Sequence, residues 1–382
     1  YLRPRDIART IVPRLNAPGR IGDRAEGIPD SRIAVELLLM GMGKKNAKKA
    51  SKVAEKFLEL LNHEKQAPKT SEATAEASLV DDVNERRKYI TSKIEDEIDH
   101  LIDEQIDADT DKVVIIVGKN WNPGVIGIDT DRLKERFLRP AIILTEYEGS
   151  DFLRGSVRSI PNINMYRIID EAGDVFEEKN KRSLYQAEVE TKDGKQLVSA
   201  FGGHAQACGF SLHKDDLEEF KANVRLIVDE LPMTLFNYYY EILDTIEFSD
   251  LNLQMIKRLN EMIPFGQEFE YPMFYLKGCQ ISRSRAFGNK YQNARTPHVD
   301  FLVNDYKEAE KGKNPPKFSA VGFGLWEKLN KLRTDQPNLV CDIIFTLDED
   351  HHKFRNNNKN RSQQSRIRLN VQDIRLNRDY NK

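Results

Sequence analysis

The chain has 382 residues, with 59 lysines and arginines against 61 aspartates and glutamates, for a net charge of −2. That length predicts two or three domains, because a single core rarely grows past about 250–300 residues. The charge balance excludes a histone-like polycation but leaves room for a local basic face. The longest apolar runs, such as Val113–Val117, fall far short of the ~18 residues a bilayer span needs, so a soluble protein without a membrane segment is expected. Cys208, Cys279 and Cys341 are widely spaced and form no C-x-x-C, which argues against a structural zinc and for a reducing, cytoplasmic compartment. The opening Tyr1-Leu2-Arg3-Pro4 is neither an initiator Met nor a basic-then-apolar leader, and reads as a cut within a longer chain.

Residues 1–29 carry Pro4, Pro13, Pro18, Gly19, Gly22, Gly27 and Pro29, too much punctuation for a long helix. From Asp30, Ile33, Leu37, Leu38, Met42, Ala50, Val53, Phe57, Leu60 and Leu61 recur at helical spacing, with Asp30 or Ser31 as cap. Residues 62–78 read as a polar excursion, and a second, acidic helix is predicted from about Val80 to Ile106. Lys112–Val117 is a buried-strand pattern. Pro123–Phe137 follows as a helix with Asn122 as cap, and Pro140–Thr145 as another strand, which together predict a parallel α/β unit. Phe152–Ile160 continues as strand. The charged stretch 173–196 reads as a surface insertion with a turn at Asp193-Gly194, and Asp215–Leu231 and Leu251–Ile263 as amphipathic helices. After Pro272, five short strands (Met273–Leu276, His298–Val303, Ser319–Phe323, Val340–Leu347 and Ile367–Val371) predict a small barrel, for which the oligonucleotide/oligosaccharide-binding (OB) fold is one candidate.

Several segments have the residue types that grip phosphate. In Gly202-Gly203-His204 the glycines let a ligand approach the backbone and His204 can donate to a phosphate; a tight turn with a core histidine is the structural alternative. On a strand, alternation puts Arg154, Ser156 and Arg158 on one face, where arginine offers paired donors to phosphate oxygens; an ordinary exposed strand is equally compatible. Trp121–Ile128 crosses from strand into a helix start with glycines, an anion site or simply a turn with Trp121 as core filler. Arg20, in Arg14-Leu15-Asn16-Ala17-Pro18-Gly19-Arg20, is a further phosphate candidate.

Between Lys277 and Val299 lie Lys277, Arg283, Arg285, Lys290 and Arg295 without an acid, interleaved with Phe287 and Tyr291. Lys353–Arg368 is similarly basic. Basic segments with aromatics on a small barrel suit a single strand, charge following the backbone and rings stacking on bases; a solvated loop is the alternative. Asp350-His351-His352 spells a metal-binding triplet, but two-metal chemistry needs several converging carboxylates and histidines, so it reads as coincidence.

Taken in order, Arg14–Arg20, Asn84-Glu85-Arg86-Arg87, Trp121–Ile128, Gly155-Ser156-Val157-Arg158-Ser159, Gly202-Gly203-His204 and Pro264-Phe265-Gly266 resemble the RecJ family of single-strand-specific 5′→3′ DNA exonucleases. The resemblance implies an α/β DHH-associated domain with connecting long helices, followed by a small all-β OB-type barrel. Its boundaries would be 1–29 (tail of a DHH phosphoesterase domain), 30–108 (connecting helices), 109–235 (DHH-associated domain), 236–270 (helical linker) and 271–382 (OB domain). It implies that Arg20, Ser156 and Arg158 form a pocket for the 5′ phosphate or scissile backbone, and that His204, with Gly202 and Gly203, contacts the phosphate being cleaved.

Manganese or magnesium would be bound upstream of Tyr1 and not in this chain. DNA repair and recombination, single-stranded DNA, a single-strand-binding protein and a helicase are the implied setting and partners, and this chain alone would grip without cutting. The chain departs from the family at Asn122, where a His is usual, at Asp129-Thr130-Asp131, usually small and apolar, and at Phe269, usually Asn. The rival readings are an inert DNA- or partner-binding relative and a small DHH-type phosphodiesterase of oligonucleotides or cyclic dinucleotides.

Overall fold

The computed structural model describes residues 7–22, 31, 32, 34, 72–107, 110–191, 194–266, 269–287, 297–335, 339–349, 367–377 and 379. Nearly all of the helix expected from Asp30, residues 62–71, Asp193, Lys290, Tyr291, Arg295 and Asp350-His351-His352 lie outside them. The chain divides into two compact units, Tyr1–Tyr238 and Tyr239–Lys382.

In chain order the first unit contains α1 (Val12–Ile21), α2 (Glu72–Gln105), β1 (Val114–Lys119), α3 (Ile126–Phe137), β2 (Ala141–Glu146), β3 (Phe152–Arg158), α4 (Met165–Asn180), β4 (Gln186–Thr191), β5 (Gly194–Ser199), β6 (Phe201–His204), β7 (Ala207–His213) and α5 (Leu217–Asp229). β1 and β2 pair in parallel, Val114 opposite Ala141, and the sheet continues through antiparallel β3, β7 and β6. Alternation along the Val/Ile runs sends Val114, Ile116, Ala141 and Ile143 to one face, packed with Trp121, Ile126, Leu133, Ile94, Ile98 and Ile102. Ile115, Ile142 and Leu144 go to the other face, against Met165, Ile169, Phe176, Phe220 and Val224. Over β1 and β2 the sheet is therefore buried on both sides under helices, which is why these two strands are nearly continuous in hydrophobicity.

The punctuated start holds no long helix among the described residues: a π-helical turn, Ile7–Ile11, runs into the ten-residue α1, which accommodates Pro13 near its start and closes where the Gly22 N–H donates to Pro18 O. Local departures from the sequence expectations have physical causes. α2 starts at Glu72, well before Val80. α3 starts at Ile126 and not Pro123, because the Asn122 carboxamide accepts from the Gly124 N–H at 2.8 Å and shapes residues 123–125 as a turn. β3 ends at Arg158, short of Ile160.

The stretch read as an insertion from residue 173 is in part α4, capped by the Asn164 carboxamide accepting from Arg167 N–H at 3.2 Å. Ile168, Ile169, Ala172 and Phe176 form its buried stripe behind a charged outer face. The remainder is the exposed β4–β5 hairpin.

The second unit contains β8 (Asp244–Ile246), α6 (Leu253–Glu261), β9 (Phe274–Phe287), β10 (His298–Asp305), α7 (Tyr306–Glu310), β11 (Phe318–Gly322), α8 (Trp326–Asp335), β12 (Val340–Glu349) and β13 (Ile367–Leu376). The order β10-β11-β13-β12-β9 closes on itself through β9–β10, giving a five-stranded barrel with β8 added alongside β9. Phe301, Phe318, Phe345, Cys279, Ile343, Leu369 and Ile374 fill it.

β9 is far longer than the expected Met273–Leu276. It carries a bulge where the β9–β10 register shifts, and Arg283 adopts φ 49° at that bulge. Arg283, Arg285 and Phe287 therefore stand on a strand and not in a loop.

Candidate nucleic-acid interface

β3 shows the alternation expected of it. Leu153, Gly155 and Val157 are buried, while Arg154, Ser156 and Arg158 occupy the opposite, more open side. Cross-strand register extends that side into two rows. Arg158 lies opposite Ala207, which lies opposite His204; Ser156 lies opposite Gly209, which lies opposite Gly202. Ala141 and Ile143 head the same rows on β2, so this is the face that α2 and α3 cover over β1 and β2; beyond β3 no helix among the described residues covers it.

Side chains are nearly absent from the middle of the strip. A Cβ on Gly202 would meet nothing within 4 Å, and one on Gly209 only the Gly155 carbonyl oxygen at 3.5 Å. His204 is exposed and two strands from Arg158, about 10 Å at typical strand spacing. It is not the core histidine of the structural alternative. Gly203 is required for the backbone itself: its φ is 144°, and a Cβ there would fall 2.4 Å from Cys208 Cα.

The first turn of α3 borders this strip. A Cβ on Gly127 would lie 2.8 Å from Arg158 Nη2 and 3.3 Å from Ser156 Oγ, so a side chain there would displace the guanidinium, which glycine allows to rest over the turn. Gly124 serves α1 in the same way, since a Cβ there would strike the Arg20 carbonyl oxygen. Arg20 Nη1 also donates to Gly124 O at 3.2 Å, which draws Arg20 to the same turn.

Arg158 Nε donates to Asp131 Oδ2 at 2.9 Å, and its Nη1 to Val157 O at 2.9 Å and to Ser156 Oγ at 3.4 Å. Arg154 and His204 make no ion pair or hydrogen bond among the described residues. Trp121 is core filler: it is buried, with its indole N–H donating to Glu97 Oε2 at 2.6 Å.

Behind the turn, burial pushes the Asp129 carboxyl up to about 7 although Arg132 lies at 3.3 Å. The Arg87 guanidinium, held by Asn84 Oδ1 at 3.3 Å, is shifted down by burial and by repulsion from Arg20 and Arg132. Burial likewise raises the Cys208 thiol to about 12, which removes it as a nucleophile.

On the barrel, Arg283 and Arg285 are exposed, and among the described residues Arg285 makes only a long contact with Asp300 at 3.9 Å. Phe287 meets His298 edge-on at 5.4 Å between ring centroids. Phe323 meets His298 at 5.0 Å and Phe287 at 6.4 Å. Phe323 is 61% exposed, yet its turn is held: the Gly324 N–H donates to His298 Nδ1 at 3.0 Å and the Trp326 N–H to Pro297 O at 3.2 Å.

His298 and Phe323 were not selected from sequence. The available signal was Gly322-Phe323-Gly324, a large ring between two glycines at a strand end.

Among the described residues no group of three or more His, Cys, Asp or Glu side chains is placed to hold a metal ion, so no metal-assisted step is assigned to them. Among them, too, no helix is long and apolar enough to cross a membrane.

Residues 110–230 match the model of the DHHA1 domain, and residues 244–364 that of the RecJ OB domain. The single-stranded-DNA-specific exonuclease RecJ of Bacillus subtilis is 27% identical over 236 residues, covering 61% of this chain and 26% of the relative. The Escherichia coli protein of the same name is 26% identical over 273 residues, 70% of this chain and 38% of the relative. That of Thermus thermophilus is 25% identical over 321 residues, 84% of this chain and 42% of the relative. The chain thus spans roughly a quarter to two fifths of these relatives' lengths. A crystal structure of Thermus thermophilus RecJ in complex with Mg2+ superimposes over 98% of this chain and 44% of its own, with a TM-score of 0.62 at 19% identity, a likeness of fold. The Mn2+ complex gives a TM-score of 0.60 at 20% identity.

Proposed function

Starting from a RecJ-like chain that carries a DHHA1 domain followed by a RecJ OB domain, we propose that it is the strand-gripping part of a single-strand-specific 5′→3′ DNA exonuclease. The observation that carries this reading is the uncovered strip of sheet on which Arg158, Ser156, the glycine positions 202 and 209, and His204 share one face beside the first turn of α3. A backbone phosphate fits such a strip for three reasons. The glycines expose main-chain surface, the flanking groups are donors, and the helix start adds partial positive charge, although the N–H groups of Gly124, Val125, Ile126 and Ile128 already have acceptors within the turn.

In this reading Arg20, Ser156 and Arg158 bind and orient the phosphate near the 5′ end, Arg154 extends the basic edge, and His204 donates a hydrogen bond to the phosphate under attack. Divalent metal, Mg2+ or Mn2+, supplies nucleophile activation in the whole protein from residues other than those described, and the chain alone does not cut. On the barrel, Arg283 and Arg285 follow the backbone while Phe287 and its ring neighbours take bases. The setting is DNA repair and recombination, with a single-strand-binding protein and a helicase as partners of the whole enzyme.

Binding by the 382-residue chain to 5′-phosphorylated and 5′-hydroxyl single strands tests the grip. Arg158→Ala is expected to weaken the phosphorylated strand roughly ten-fold, as for loss of a charge-assisted hydrogen bond, and the hydroxyl strand much less. Equal losses on both would remove Arg158 from a 5′ pocket. Incubation with manganese and a 3′-labelled strand is expected to leave it intact, and stepwise shortening would place metal chemistry within this chain.

A further inference from the structure

Arginine grips phosphate best when two parallel N–H groups are free on one edge. Arg158 does not have such an edge. On one side Nε is taken by Asp131 Oδ2 at 2.9 Å, and on the other Nη1 is taken by Val157 O at 2.9 Å and Ser156 Oγ at 3.4 Å. Only Nη2 has no protein acceptor among the described residues, and it lies over Gly127 at the first turn of α3.

Asp131 is itself clamped: its Oδ1 pairs with Lys134 Nζ at 3.1 Å, and its carboxylate is 44% exposed, open to the solvent from which a ligand arrives. A fixed negative charge thus sits against the guanidinium that is to meet a negative ligand.

We propose that Asp131 is a positioning and specificity residue of the phosphate grip. It holds Arg158 by one edge, limits it to single-donor contact, and reduces, without reversing, the site's preference for a dianionic terminal phosphate over a monoanionic phosphodiester or an uncharged end. The inference rests on the grip proposed above. Its physical basis is simple: the Asp131 carboxylate repels a ligand in proportion to the ligand's charge, whereas a hydrogen bond from the Ser156 hydroxyl depends far less on it. An end bearing a free phosphate therefore loses part of the advantage its extra charge would otherwise give.

The test uses the full chain and three single strands identical except at the 5′ end: hydroxyl, methyl phosphate (one charge) and phosphate (two charges near pH 8). Asp131→Asn keeps the size and the acceptor for Arg158 Nε while removing the charge. It is expected to tighten the phosphate strand about three- to five-fold, the methyl phosphate strand by less, and the hydroxyl strand not at all, the scale of a half-exposed ion pair. Asp131→Glu is expected to restore the wild-type ranking, and the melting temperature guards against a folding defect. Equal changes on all three strands, no change, or weaker phosphate binding would overturn the proposal. Arg158→Ala separates the two levels: if it leaves every strand unaffected, the grip itself falls; if it selectively weakens phosphate while Asp131→Asn moves nothing, only the role of Asp131 falls.

Discussion

Phe323 offers the sharpest separation between a stacking platform and a merely basic barrel. Its ring is 61% exposed but mounted on a turn fixed by hydrogen bonds to Pro297 and His298, so little ordering remains for a ligand to impose. Burying a whole phenylalanine contributes about 1.5–3 kcal/mol, so removing a ring this exposed costs about 1 kcal/mol of fold stability or less. Loss of a stacked base costs about 1–3 kcal/mol. Because His298 and Phe287 already engage the ring edge-on, the lower end applies, roughly a five-fold weaker Kd.

The assay is fluorescence anisotropy of a labelled oligothymidylate across a salt series. Phe323→Ala is expected to shift the whole log–log line to weaker binding with its slope unchanged, since no phosphate contact is lost. Phe323→Trp is expected to retain affinity and Phe323→Leu to lose it. An unchanged Kd for Phe323→Ala, or a leucine variant as good as wild type, would refute stacking at this ring.

Three further outcomes follow from the same geometry. Replacing Arg283 by Ala is expected to reduce the salt slope by roughly 0.7, and replacing Arg285 by somewhat less, since Asp300 already offsets part of its charge; unchanged slopes would take both off the strand's path. Gly203→Ala forces an alanine to φ 144° and a Cβ onto Cys208, so the β6–β7 hairpin is expected to lose about 1–3 kcal/mol in thermal unfolding; a variant as stable as wild type would contradict the register. Asp129, with its carboxyl raised to about 7 from an ordinary 3.8, favours the protonated form when folded. Its contribution is therefore present at acid pH and lost as pH rises through about 7. Asp129→Asn is expected to flatten the fall in melting temperature between about pH 4 and pH 7, with about 4 kcal/mol as the upper bound, and parallel pH profiles would refute the assignment.

The layered α/β sheet and the barrel were legible because their signals are periodic and local. Val113–Val117 and the strand at Ala141 announce parallel strands, and alternation alone assigns Arg154, Ser156 and Arg158 to one side of β3. Where local chemistry competes, the reading failed. Asn122 resembles a helix cap, but its carboxamide closes a turn with Gly124 first. The acidic and basic residues of α4 conceal a buried stripe that only the packing of Phe176 and Ile169 against the sheet makes evident. β9 runs on to Phe287 because β10 supplies partners and a bulge absorbs the misfit, and no residue of that basic stretch advertises a strand by itself.

A different kind of limit governs the site. Residue types indicate which groups can donate to a phosphate, but whether a donor is still available is a tertiary fact. Arg158 reads from the sequence as a forked donor; in the fold its Nε belongs to Asp131, 27 positions away, and its Nη1 to its own strand. His204 reads as a possible core histidine, yet the hairpin that carries it leaves the ring exposed on the edge strand. Phe323, too large to be expected in the open, is held there by the acceptor nitrogen of His298 and the carbonyl of Pro297. In each case the side chain's chemistry is local and its availability is not. The charge at Asp131 on the sheet and the ring at Phe323 on the barrel therefore each test the proposed contacts of their own unit better than the arginines and glycines that first drew attention there.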